Sequence, residues 1–231
     1  MAERSDARPD GRTASSAQRA YRMLRDRLLR FGFTPNQKIN EVVLAGELSI
    51  SRTPLREALN RLVAEGLLED RGRGFSVPDL ETAKIRDLFE ARTEIECSLV
   101  RLACDRATED GLDALDAFLR ESMAESPDAS VDRLIELDIG FHDGLARLAG
   151  NEVLRRTMAN LNDRIHLVRW IAMDGRRETT QRQHLEILEA VRRRDREAAT
   201  EAMREHILHR NEDIVAAIKA AYGHVHTLSS A

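Results

Sequence analysis

From Asp79 onward the sequence carries no strand signal, only long segments in which apolar side chains return every three or four positions. That period matches the turn of an α-helix and leaves nothing from which a sheet could be built. The segments fall at 81–107, 110–125, 130–149, 151–173, 177–194 and 196–222, separated by ESPDAS, Gly150-Asn151, MDGRR and RRRDRE, each able to serve as a cap or turn. No fixed-period repeat links them. The expectation for 79–231 is an all-α six-helix bundle.

Upstream of Pro78 the pattern is different. Gln18 to Leu29 reads as a helix burying Tyr21, Leu24 and Leu28, followed by a turn at FTPNQ and a short second helix, EVVLAGEL. The next stretch, SISRTPLREALNRLVAEGLL at 49–68, is two-sided. With about 100° between successive residues, Arg52, Arg56, Asn60 and Thr53 cluster on one arc, and Leu55, Ala58, Leu59, Leu62 and Val63 on another. Ser51 or Thr53 can cap its start, Pro54 is tolerated in its first turn, and Gly66 can end it with a positive φ. Leu67 to Asp70, the turn RGRG and Phe75 to Val77 then read as a hairpin with Arg71 and Arg73 at its tip. The order is helix, helix-turn-helix, basic wing. Arginines set among glycines suit a backbone that approaches a phosphate chain or a minor groove closely. A sided surface helix with solvated turn arginines is the alternative reading of the same residues.

Charge separates the two halves. The chain of 231 residues has a formal charge of −4, yet residues 1–80 hold 14 Lys and Arg against 11 Asp and Glu, and the remainder 22 against 29. The basic half is the one with the two-sided helix, so the acidic total does not exclude a nucleic-acid partner. Residues 1–16, polar and balanced in charge, read as a disordered tail. Without a signal-like segment or a run of about 18 apolar residues, the chain is expected to be cytoplasmic and free of the membrane. Cys97 and Cys104, if on one helix, stand about 10 Å apart along its axis, too far for a disulfide within the chain. They are expected to be buried apolar residues.

The helical half places polar groups where apolar ones belong. Leu134, Asp138, His142, Leu145 and Ala149 follow steps of four, four, three and four, which sets a carboxylate and an imidazole on the buried stripe. His184 shares a side with Ile187, Leu188 and Val191, and His206, more weakly, with Met203 and Ala199. Each histidine alone reads as a satisfied core residue. Together, Asp138, His142, His184 and His206 make a His₃-carboxylate set suited to zinc, nickel or manganese. Arg92 lies among Ile85, Leu88, Phe89, Ile95 and Leu99 and needs an anion, either Glu96 one turn on or the carboxylate of a small acid. His166 and Arg169 line the same cavity or face solvent.

Two resemblances sharpen these expectations. INEVVLAGELSISRTPLREALNRLVAEGLLEDRGRGFSVP resembles the winged helix-turn-helix of the GntR family of bacterial transcription regulators almost throughout. The resemblance implies that the third helix enters the major groove. Arg52 and Arg56 would meet base edges or phosphates there, with Thr53 on the DNA backbone and Asn60 on the same face. Gly72 to Gly74 would enter the adjacent minor groove, with Arg71 and Arg73 in the same turn. Arginines at such positions suit guanine through paired bonds to O6 and N7.

LDIGFH, QRQHLEILEAV and MREHI are similar to three places in the FadR-type, or FCD, ligand-binding domain. That resemblance implies a divalent metal, zinc first, held by Asp138, His142, His184 and His206, and Arg92 receiving the carboxylate of an organic acid effector. The expected molecule is mainly α: 17–78 a winged helix-turn-helix of three helices and a hairpin, 79–231 an effector-binding and dimerising domain. Its expected activity is that of a homodimeric transcriptional regulator, more often a repressor, on a palindromic operator.

Two other classes compete. His142-Asp143 reads as an HD dipeptide, but metal-dependent phosphohydrolases of that type need an earlier histidine, and none precedes His142. No P-loop, dinucleotide fingerprint or activated nucleophile is present. An enzyme is therefore not expected. A DNA-binding protein with a purely structural polar core remains the third reading.

Overall fold

The computed structural model describes residues 15–30, 32–126, 128–172 and 177–209, in two compact units, Met1–Pro78 and Asp79–Ala231. Most of the expected tail over 1–16 and the last part of the expected final helix lie outside the described residues.

In the first unit, α1 (Ser16–Leu29) starts a residue inside the expected tail, because the Ser15 hydroxyl accepts from the Gln18 amide at 3.1 Å and closes the first turn. It buries Ala20, Tyr21 and Leu24, with Leu28 half-buried beside them. α2 (Glu41–Glu47) is capped by Asn40, whose side-chain oxygen accepts from the Val42 and Val43 amides. α3 (Arg52–Ala64) buries Leu55, Ala58, Leu59 and Leu62 against these helices. Neither expected cap forms: Ser51 occupies the N-cap position without a side-chain bond, and Thr53 is already inside the helix. Gly66, at φ 75°, turns the chain out of α3.

β1 (Glu69–Asp70) and β2 (Phe75–Ser76) pair antiparallel, with Glu69 opposite Ser76 and Asp70 opposite Phe75. The stretch before α2 joins them. Ile39 N–H donates to Phe75 O and Val77 N–H to Gln37 O, both at 2.9 Å, so an extended segment at 37–39 braces the hairpin. Nothing in its sequence alternates clearly enough to announce it.

The second unit contains α4 (Thr82–Arg106), α5 (Glu109–Met123), α6 (Val131–Leu148), α7 (Glu152–Ala172), α8 (Arg177–Arg192) and a helix α9 from 196, described as far as 209. These are the six expected segments, shifted by at most two residues at their described ends. Phe89, Leu112, Leu119, Phe141, Leu145, Ile187, Val191 and Ile207 form the centre, and Cys97 and Cys104 are buried free thiols on α4. Two glycines set how tightly α5 lies on α6. A Cβ at Gly140 would stand 2.5 Å from Phe118 Cζ, and one at Gly144 2.5 Å from Leu115 Cδ1. On the other side of α6, Asp138 and His142 are buried in the bundle, at 3% and 1% exposure. No helix of the described residues is long and apolar enough to cross a membrane.

Candidate functional site

Two places carry the polar chemistry. On α3, Arg52, Thr53, Arg56 and Asn60 are exposed along one face, opposite the leucines that anchor the helix. Arg56 does not hang free. Its Nε and Nη2 donate to the two carboxylate oxygens of Glu41 on α2, at 2.8 and 3.2 Å. That paired contact fixes the plane of the guanidinium and leaves Nη1 and part of Nη2 for another acceptor. The composition of α2 gave no sign that Glu41 would do this.

In the wing, Arg71, Gly72 and Arg73 are exposed and Gly74 half-buried. The Gly72 amide donates to Asp70 Oδ1 at 2.8 Å, and Arg71 N–H to Gly74 O at 2.9 Å. Gly72 and Gly74 have φ of 71° and 118°, and a Cβ on either would meet nothing within 4 Å. Glycine is therefore required by the turn itself and not by crowding, and the open space around it suits close approach by a second molecule. Arg71 pairs with Glu69 at 2.8 Å, so its charge is partly offset in the isolated unit.

The second place lies inside the bundle. Asp138 and His142 from α6, His184 from α8 and His206 from α9 are all buried, and one ligand atom from each lies within 4.8 Å of all the others. His184 Nε2 stands 3.6 Å from Asp138 Oδ1, His142 Nε2 3.9 Å from the same oxygen, and His206 Nε2 3.4 Å from His142 Nε2. Ligands bound at about 2.0–2.2 Å around one ion stand some 3–4 Å apart, so the spacing and the N/O donor set fit a divalent metal. Phe141 stacks on the His184 ring at a centroid distance of 4.0 Å and closes one side. His206, the weakest of the four by sequence pattern, is fully buried.

Around these four lies a second layer. Arg92, 1% exposed, donates through Nε to Glu96 Oε1 at 2.6 Å and through Nη2 to His142 Nε2 at 3.0 Å. The other Glu96 oxygen is bonded to His142 Nδ1. Both anions proposed for Arg92 thus concern one spot: Glu96 meets it, beside the metal-type ligands. Burial pushes the Glu96 carboxyl up, but His142 and Arg92 outweigh it and hold the group down at about 2, so Glu96 is ionised. Burial, aided by His184 and His142, drives the His206 pKa well below 6.5 and keeps that ring neutral, the form that ligates. His206 Nδ1 lies 2.9 Å from Gln183 Oε1. Glu96 was noticed in the sequence only as an ion-pair partner, and Gln183 not at all. His166 is half-buried on α7, and the Arg169 side chain lies outside the described residues.

Comparison with known proteins agrees with both halves. Residues 16–77 match the model of bacterial regulatory proteins of the gntR family, and residues 87–209 match that of the FCD domain. The Nta operon transcriptional regulator of Aminobacter aminovorans is 39% identical over 87% of this chain and 95% of its own length. The transcriptional repressor RspR of Escherichia coli is 30% identical over 85% and 88%. Among solved structures, Escherichia coli McbR/YncC superposes with a TM-score of 0.72 at 20% identity, covering 90% of this chain and all of its own. With an exposed α3 and a glycine wing in one unit, a buried Asp and three His in the other, and these relatives, the chain belongs to the GntR family of transcription regulators, in its FadR-type branch with an FCD domain: it binds DNA to regulate transcription and is not an enzyme.

Proposed function

We propose that the chain is a repressor whose hold on DNA is set by a small organic acid bound beside a zinc ion in the helical unit. The carrying observation is the set of four buried ligand atoms within 4.8 Å of one another, with the Arg92 guanidinium directly beside them. Asp138, His142, His184 and His206 hold the ion, and zinc suits three imidazoles and one carboxylate. Bound there, it offers a Lewis-acid position to a carboxylate oxygen. Arg92 meets the same carboxylate with planar N–H donors.

In the DNA-binding unit, Arg52, Thr53, Arg56 and Asn60 read the major groove. Arg71, Gly72, Arg73 and Gly74 follow the adjacent minor groove. The protein works as a homodimer on a palindromic operator, since one such helix covers too few base pairs to be selective. Repression is supported by the Escherichia coli relative, a repressor. Control by the acid requires that it favour one arrangement of the dimer, a coupling of about 1–3 kcal/mol.

The metal reading is tested by elemental analysis of protein purified without chelator. Stoichiometric zinc is expected, and alanine at any one of Asp138, His142, His184 or His206 should lower its content. Retention of wild-type zinc by all four variants would leave a structural polar core and remove the effector reading.

A further inference from the structure

We propose that Glu96 and Gln183 are positioning residues of this centre, each accepting the Nδ1–H of a ligand histidine and so presenting its Nε2 lone pair to the shared ion. The inference rests on the metal reading above. A neutral imidazole carries one ring proton, and the nitrogen that holds it cannot ligate. An arrangement that fixes the proton therefore chooses the ligand atom.

For His142 the choice is fixed from both ends. Arg92 Nη2 lies 3.0 Å from Nε2, and a guanidinium only donates, so in the metal-free site Nε2 carries the lone pair, which Arg92 gives up when the ion takes its place. The proton then sits on Nδ1, where Glu96 Oε2 receives it. For His206, Nδ1 faces the Gln183 Oε1 at 2.9 Å, which leaves Nε2 directed at His142 Nε2, 3.4 Å away. Once Arg92 withdraws from His142, two nitrogen lone pairs at that separation repel unless a cation lies between their lines of approach. The pairs are crossed between helices: α4 orients the histidine of α6, and α8, which contributes His184 itself, orients the histidine of α9. Acceptors of this kind also raise the basicity of the ligating nitrogen, and their loss typically costs about 10–100-fold in metal affinity.

Glu96 has a second consequence. Its two oxygens are divided between Arg92 and His142. An acid that draws the guanidinium toward itself loosens one arm of this carboxylate and leaves more of its charge for His142. The acid and the metal are thereby coupled through one side chain.

The test is zinc affinity of the full chain, measured by competition with a chromogenic chelator, for wild type, Gln183→Leu, Gln183→Glu and Glu96→Gln. Gln183 is half-buried and its substitution should leave the fold intact, which circular dichroism of the chelated proteins checks. Gln183→Leu, which removes the acceptor, and Glu96→Gln, whose single oxygen cannot serve both Arg92 and His142, should bind zinc about 10–100-fold more weakly, and Gln183→Glu, which keeps an acceptor, at least as tightly as wild type. If Glu96→Gln fails to fold, the Gln183 pair decides. A folded Gln183→Leu with wild-type affinity overturns the inference and leaves the metal reading standing. A wild type that binds no zinc overturns both.

Discussion

Glu96 shows how much one buried carboxylate can be asked to do. It is 2% exposed, ionised, and divided between a guanidinium and an imidazole. Removing one partner of such a buried pair typically costs about 3–5 kcal/mol, a large part of the stability of a domain this size. Replacing a whole pair by apolar residues is often neutral, so a buried pair here suits a site better than a framework. His206 adds a dependence on acidity. Its folded-state pKa lies well below 6.5, so in metal-free protein the unfolded state gains the proton first. The stability that neutral His206 contributes is complete above about pH 6.5 and is lost as pH falls toward the folded value, at up to about 1.4 kcal/mol per unit. Glu96, with its ordinary value at 4.5, does not titrate in that window. The urea midpoint of chelator-stripped protein should therefore fall between pH 7.5 and 5.5. A midpoint that rises toward pH 5.5 would contradict this assignment.

At the scale of the element, α3 and the wing were legible because several signals coincide there. The leucines return at helical steps, Pro54 and Gly66 punctuate the ends, and RGRG lies between the segments 67–70 and 75–77. The segment at 37–39 was not legible, since its partners are 36 or more residues away and its own pattern is too short to alternate. The Glu41 contact to Arg56 was hidden for a related reason, as it joins two helices across a turn. Substitutions at the two ends of this surface should act differently. Arg52→Ala should weaken binding to a sequence selected from random duplexes by about 1–3 kcal/mol and relax the choice of base at one position. Gly74→Ala, at φ 118°, strains the turn by about 1–3 kcal/mol and should weaken binding to all sequences alike. Fluorescence anisotropy on selected and scrambled duplexes distinguishes the two. Equal loss of selectivity in both variants would put base readout in the wing as well as in α3.

For the whole molecule, the division near Pro78 and the helical character of all that follows could be read from the change of period alone. The four inward groups could also be read, because a polar residue on an apolar stripe stands out against its neighbours. Their meeting was not contained in any one helix. It depends on α6, α8 and α9 being brought side by side, and the Glu96 and Gln183 contacts on the same packing. The two units imply a division of labour in which the basic one meets DNA and the acidic one meets an effector. Coupling between them is the central claim, and it begins with an acid that binds only when the metal is present. The most direct measurement is a thermal-shift screen of the full chain against sugar acids, hydroxy acids, dicarboxylates and fatty acids, with and without a strong chelator. A ligand of the native state must raise the melting temperature. One acid class should do so, with the shift abolished by the chelator and absent in His184→Ala. A shift of equal size with the chelator, or no shift for any acid in zinc-loaded protein, would contradict the account.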